Sequence, residues 1–217
     1  MKRIVYLLLA VMICTLLYPS FAFASSNQPS AEQVFNQKEV NQLIDEIHEK
    51  ELVPDKADES AGRGASLQTK ALRSMGSYPR RKGVILVTGD AFIGLIPTGH
   101  AAIIYTNGYV VEALWEGVTV GLNNWDEKKH TCYGVTVKET TTTQDKIAAN
   151  WCMNQRGKGY NLRFYNTGTR SRFYCSQLIW AAFKDNFGID LNTGHFGAAI
   201  HPIELVWTNK TRKIYEK

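Results

Sequence analysis

The sequence predicts an α+β fold in which an antiparallel sheet packs against helices, one of which presents a cysteine at its first turn. Three observations lead there. Short apolar runs separated by turn residues fill residues 83–138, the pattern of neighbouring strands. Apolar residues at helical spacing flank that block, over 31–52 before it and over 142–156 and 175–187 after it. Strands gathered in the middle with helices around them form a segregated arrangement, not an alternating βαβ one.

Taken in order, the chain opens with Lys2 and Arg3, an apolar run from Ile4 to Leu17, and the small-x-small triplet Ala22-Phe23-Ala24. This reads as a signal peptide over 1–24, with an uncleaved anchor as the alternative. The run is short for a membrane span, so no stable span is expected after cleavage. Residues 25–67 read as an N-terminal helix and linker, and 68–217 as the main folded domain. The helix covers Ala31 to Leu52, with Val34, Val40, Leu43, Ile44 and Ile47 as its apolar stripe, and Pro54 ends it. Polar, glycine-containing residues follow from Asp55 to Ser66. Val84 to Thr88 is a strand closed by Gly89-Asp90. His100 to Tyr105 and Tyr109 to Trp115 are strands around the hairpin signal Asn107-Gly108. Thr131 to Lys138 is a fourth strand, Thr142 to Arg156 a helix capped in its threonine run, and Cys175 opens a helix that stops near Phe187-Gly188. The tail from Pro202 to Tyr215 adds a last strand.

Composition narrows the function. Without Lys2 and Arg3 the formal charge falls from +5 to +3, weakly basic and without a basic stripe interleaved with aromatics, so nucleic acid is not the expected partner. The mature chain of about 190 residues suits one core and keeps Cys132, Cys152 and Cys175. No Cys-x-x-Cys pair is present, so neither a metal site nor a cofactor is expected.

Cys175 precedes Leu178, Ile179, Ala182 and Phe183, which places it on the buried side of its helix. A helix N-terminus carries partial positive charge and free N–H groups, which favour a thiolate and can hold an oxyanion. A packed structural cysteine is the competing reading. A thiol nucleophile needs a base, and the base needs an orienting group. Among five histidines, His100 stands out because it follows Gly99 and opens an apolar strand. Glu112 interrupts Val110-Val111-Glu112-Ala113-Leu114, and a carboxylate inside an apolar strand is costly unless it is paired or faces water. The hairpin decides between those two. A two-residue Asn107-Gly108 loop pairs Thr106 with Tyr109 and puts His100 and Glu112 on opposite faces. A three-residue loop, with Gly108 left-handed in a bulge, pairs Tyr105 with Tyr109 and sets Glu112 opposite Ala102, diagonal to His100. A catalytic pair requires that loop or another register of the same parity.

Gly99-His100-Ala101-Ala102-Ile103, Val111-Glu112-Ala113 and Tyr174-Cys175-Ser176-Gln177-Leu178 occur in that order. The set resembles the circularly permuted branch of the NlpC-type papain-like cysteine peptidases, which includes YiiX/YycO-like proteins and relatives of lecithin:retinol acyltransferase. Gly83 to Asp90 resembles that branch's first strand and turn. Gly159-Tyr160-Asn161 resembles a Gly-x-Tyr-Asp element with asparagine in the last place. The resemblance spans about Gly83 to Leu205 and implies a permuted papain-like fold. It implies Cys175 as nucleophile, His100 as base and Glu112 as third polar residue. Tyr174 and Tyr160 become candidates to line the cleft, with packing aromatics as the competing reading, and Arg170 and Arg172 to grip a substrate carboxylate, with solvated loop arginines as the competing reading. The leading expectation is an exported cysteine amidase or peptidase, secreted or in the cell envelope, acting on peptidoglycan peptides or another small amide or acyl substrate. A lipid acyl hydrolase or acyltransferase, and a non-catalytic envelope binding module, are the alternatives.

Overall fold

The computed structural model describes residues 28–60, 76–90 and 99–217. The expected signal peptide and the end of the expected linker lie outside the described residues.

The N-terminal helical pattern is broken once. Helices α1 (Ala31–Val34) and α2 (Gln37–His48) are separated at Phe35-Asn36. The Asn36 side chain accepts from the Lys38 and Glu39 N–H groups and so starts a new helix, as a good N-cap does. The break turns Phe35 inward, where its ring meets Phe164, Phe196 and His201 at 5.3, 5.5 and 5.1 Å. Val40, Leu43 and Ile47 of α2 join the same core, each burial worth about 1.5–3 kcal/mol. Helix α3 (Lys56–Ser60) is pinned by charge: Lys56 bonds Asp145 at 2.9 Å, and Arg81 bonds Asp145 and Asp55 at 2.8 and 2.7 Å. Asp145 is fully buried, and these partners with Thr140 satisfy it.

Six strands form the sheet: β1 (Ile85–Thr88), β2 (His100–Thr106), β3 (Tyr109–Leu114), β4 (Gly117–Leu122), β5 (Tyr133–Val137) and β8 (Thr211–Glu216). Their order is β4-β3-β2-β1-β5-β8, every pair antiparallel. Strand β4 is absent from the sequence reading, because glycines at 117 and 121 break its alternation. The far edge of β8 is covered by Leu52, which bridges Lys213. A two-stranded parallel ribbon joins β6 (Gly159–Tyr160) to β7 (Arg172–Phe173). Helices α4 (Trp125–Lys128), α5 (Thr142–Met153), α6 (Cys175–Phe187) and α7 (Glu204–Trp207) complete the described elements. Ile85, Val87, Ala101, Ile103 and Val111 face a large core shared with α5 and α6. Val84, Leu86, Ala102, Ile104 and Val110 face a smaller one with Trp125 and Ile214. No described helix is long and apolar enough to cross a membrane.

The β2–β3 hairpin corrects one expectation and keeps another. Its loop has two residues, with Thr106 paired to Tyr109, and Gly108 is not left-handed. A bulge between Ile104 and Thr106 then shifts the ladder by one residue. Ile104 pairs with Val110 and Ala102 with Glu112, the parity that puts Glu112 on the face of His100.

Candidate active site

Cys175 begins α6 because the chain reaches it in extended form, with Tyr174 at φ −92° and ψ 168°. The first N–H groups of α6 therefore have no helical acceptor. Gln177 fixes the approach. Its Oε1 accepts from the Tyr174 N–H at 3.3 Å and from Asn161 Nδ2 at 2.9 Å, and its Nε2 donates to the carbonyls of Thr167 and Thr169. Ser176 donates to the Ile200 carbonyl at 2.6 Å. Asn161 is fully buried and also donates to the Asn166 carbonyl at 3.1 Å. Both of these bonds use its amide nitrogen, which an aspartate lacks. That gives a physical reason for asparagine in this place.

His100 opens β2, paired to Thr88 of β1, and is 2% exposed. Its Nε2 lies 2.6 Å from Oε2 of Glu112, which is 9% exposed. With Nε2 held by the carboxylate, Nδ1 is the ring nitrogen left for the sulfur of Cys175. Burial pushes the imidazole pKa down, but hydrogen bonds to Cys175 and Glu112 and their charge outweigh burial and raise it to about 9. The sheet, the hairpin bulge and the α6 N-terminus thus bring the three candidates into one buried chain of contacts.

Two residues that the sequence reading passed over hold this chain in place. The Trp125 indole stacks on the His100 ring, with centroids 5.5 Å apart and planes 29° from parallel. Gly121 of β4 lies beneath Glu112. A methyl group there would stand 3.0 Å from the Glu112 carboxyl carbon and would overlap Oε1 outright. A glycine interrupting an otherwise alternating strand was the available signal, since such glycines mark close approach. Gly99 has a similar part on the other side, because a side chain there would come within 2.9 Å of Cε1 of His201.

The remaining candidates divide. Tyr160 sits on β6 against β7, the strand that leads into Cys175. Its hydroxyl is buried and has no hydrogen-bond partner among the described residues. Burial, and next to it the charge of Cys175, hold its pKa well above the ordinary phenol range, so it remains a donor. Tyr174 is corrected. It is fully buried, and its hydroxyl donates to the Phe164 carbonyl and accepts from the Ile200 N–H, both at 3.1 Å, so it packs the helix start and offers nothing to a cleft. Arg170 is likewise committed, bonding Asp185 at 2.6 and 2.7 Å. Arg172 is exposed on β7. Of the other histidines, His48 bonds Glu216, His195 lies near Glu39, and His201 is enclosed by Phe35 and Phe196. Cys132 and Cys152 are buried free thiols, and burial pushes the first up to about 12 and the second higher still. Among the described residues no cluster of ligating side chains could hold a metal ion.

Residues 87–201 match the sequence profile described as permuted papain-like amidase enzyme, YaeF/YiiX, C92 family. The chain is 27% identical over 199 residues to a Bacillus subtilis (strain 168) protein described as uncharacterized protein YycO, covering 85% of this chain and 78% of that one. A solved structure, described as metalloprotein yiiX from Escherichia coli O157:H7, aligns with a TM-score of 0.49 at 14% identity. It covers 64% of this chain and 98% of that one.

Proposed function

Because the chain belongs to the permuted papain-like amidase family YaeF/YiiX, C92, we propose that it is a cysteine amidase in which Cys175, His100 and Glu112 form the reacting triad. One observation carries the reading: a buried imidazole held by a carboxylate at 2.6 Å while it contacts a thiol at a helix N-terminus.

The chemistry follows from that placement. The Cys175 thiol gives its proton to Nδ1 of His100, and the sulfur attacks the amide carbonyl carbon. Negative charge moves to the carbonyl oxygen, where the Cys175 N–H at the start of α6 is the donor. Collapse breaks the C–N bond, and the amine departs with the proton from His100. Water then attacks the thioester. His100 takes its proton and returns one to the sulfur, which frees the carboxylic acid. Glu112 keeps the ring in the required tautomer and stabilises the imidazolium without itself accepting the proton.

The proposed substrate is an amide in a peptide of the cell envelope, peptidoglycan peptides first among them. The export-type sequence over 1–24 supports the compartment, and the exposed Arg172 guanidinium supports recognition of a peptide carboxylate. The test is a mass-spectrometric screen of the mature protein against peptidoglycan fragments and lipid esters, with Cys175→Ala as the blank. Cleaved amides that disappear in the blank are expected. In parallel, iodoacetamide at neutral pH should label Cys175 alone in the native protein, and His100→Ala should slow that labelling. Labelling of Cys175 that does not depend on His100 would overturn the triad.

A further inference from the structure

The loop between β6 and β7 holds two of its apolar residues out in water. Phe164 is turned in against Phe35 and Tyr174, and the Asn161 side chain is fully buried. The Arg163 N–H donates to Asn161 Oδ1 at 3.0 Å, and the Asn166 N–H donates to the Arg163 carbonyl at 2.8 Å. These turns fix the loop and leave Leu162 and Tyr165 outside, 50% and 51% exposed. The loop is tied to the nucleophile, because the Asn161 N–H donates to the Phe173 carbonyl at 3.2 Å and Asn161 Nδ2 donates to Gln177.

Trp115, 62% exposed, lies at the same end of the sheet. It follows Leu114, which the pairing of Ala102 with Glu112 sets level with His100. The turn it occupies is stitched to the chain entering β6: the Val118 N–H donates to the Lys158 carbonyl at 2.8 Å, and the Gly157 N–H to the Val118 carbonyl at 2.9 Å. A single exposed apolar side chain is ordinary, but three on adjoining segments around one site mark an interaction surface.

The charge on these segments is one-sided. Residues 156–172 hold five cations and no carboxylate, and Glu116 is the acidic residue on the adjoining turn. Arg170 is committed to Asp185, and the Lys158 ammonium to Gln155 and the Arg170 carbonyl. Arg156, Arg163 and Arg172 are exposed and pair with no carboxylate among the described residues. Aromatic and aliphatic side chains beside free guanidinium groups suit the headgroup layer of an anionic membrane. A soluble polyanion would meet the arginines and leave the apolar side chains in water, so it accounts for only half of the surface.

We propose that this face docks on an anionic lipid bilayer, with Trp115, Leu162 and Tyr165 entering the headgroup layer and Arg156 and Arg163 meeting lipid phosphates. The surface stands whether or not Cys175 cleaves an amide, since its test reads binding and not turnover.

The folded mature chain is co-sedimented with vesicles of phosphatidylcholine and phosphatidylglycerol in equal parts, and with vesicles of phosphatidylcholine alone. It should bind the mixed vesicles, and the bound fraction should fall as salt is raised past about 0.15 M. Arg163→Glu should weaken that binding about tenfold or more. Leu162→Ser with Tyr165→Ser should weaken it to a similar degree. All three side chains are exposed, so the thermal midpoints should match the native protein. Lys138→Glu is the control: β1 pairs Ile85 with Val135 and Thr88 with His100, so exposed Lys138 leaves β5 at the end of the sheet away from His100. It should bind as the native protein does. Absence of binding to the mixed vesicles would overturn the proposal. So would an equal loss in Lys138→Glu, which would mean that net charge alone acts. Binding that the double serine variant keeps and Arg163→Glu loses would also overturn it, and would assign the face to a soluble polyanion.

Discussion

Replacing Gly121 with alanine tests the triad without touching any of its members. The added methyl would stand 3.0 Å from the carboxyl carbon of Glu112, where ordinary contacts begin near 3.4 Å, and its overlap with Oε1 is larger. The carboxylate therefore has to swing away from β4. Its other oxygen is the one bound to His100 at 2.6 Å, so the swing breaks or stretches that bond. A charge-assisted hydrogen bond to a buried group is worth about 1.5–3 kcal/mol, so the population of imidazolium paired with thiolate should fall about ten- to a hundredfold. The assay is the rate of Cys175 alkylation by iodoacetamide near neutral pH, read by mass spectrometry, with far-ultraviolet circular dichroism confirming the fold. Turnover of any amide substrate should fall by a similar factor, the usual penalty for displacing a catalytic group by about 1 Å. Glu112→Gln keeps the volume and removes the charge, and should slow alkylation to a similar degree. If Gly121→Ala reacts at the native rate while Glu112→Gln is slow, the packing argument fails. If both react at the native rate, Glu112 has no part in activating the sulfur.

Three further outcomes are expected. His100 is raised from 6.5 to about 9 in the folded state, so the stability it contributes when protonated is fully present below about pH 6.5 and is lost as pH rises through about 9. Urea midpoints across that interval should decline in the native protein and stay flatter in His100→Gln, and equal slopes would refute the assignment. Trp125→Ala removes the indole stacked on His100 and should cost about 3–5 kcal/mol in denaturant unfolding, while Trp125→Phe should restore most of the alkylation rate. Asn161→Asp takes away the donor to Gln177 and Asn166 inside a buried network and should destabilise the fold by about 1–3 kcal/mol, measured by the same unfolding. An unchanged midpoint in that variant would show that the asparagine is not required.

The reacting residues were legible because each breaks a local rule. Glu112 is a charge in an apolar strand, His100 is a polar start to another, and Cys175 sits where apolar spacing turns helical. The parity of the β2–β3 register was legible from the need to put two of these on one face. Its means was not, because a bulge at Tyr105 is a property of the pairing and leaves no composition mark on one strand. Trp125 and Gly121 act across space from a short helix and an unrecognised strand, so nothing near His100 or Glu112 in the sequence points to them. Tyr174 stood open in the sequence, because an aromatic beside a nucleophile can be cleft wall or core. The Phe164 carbonyl and the Ile200 amide, ten and twenty-six residues away, decide for core. The first helix splits at Asn36, whose side chain caps a new helix inside a continuous apolar stripe.

The Phe35 ring has a consequence for how this molecule can be divided. It lies before the region that the family profile matches, yet it is wedged among Phe164, Phe196 and His201, and Phe164 in turn stacks edge-on against Tyr174 beside the nucleophile. The stretch that the family profile matches is therefore smaller than the stretch that packs around the nucleophile. A fragment trimmed to 87–201 would lose the keystone of the wall behind its own sulfur.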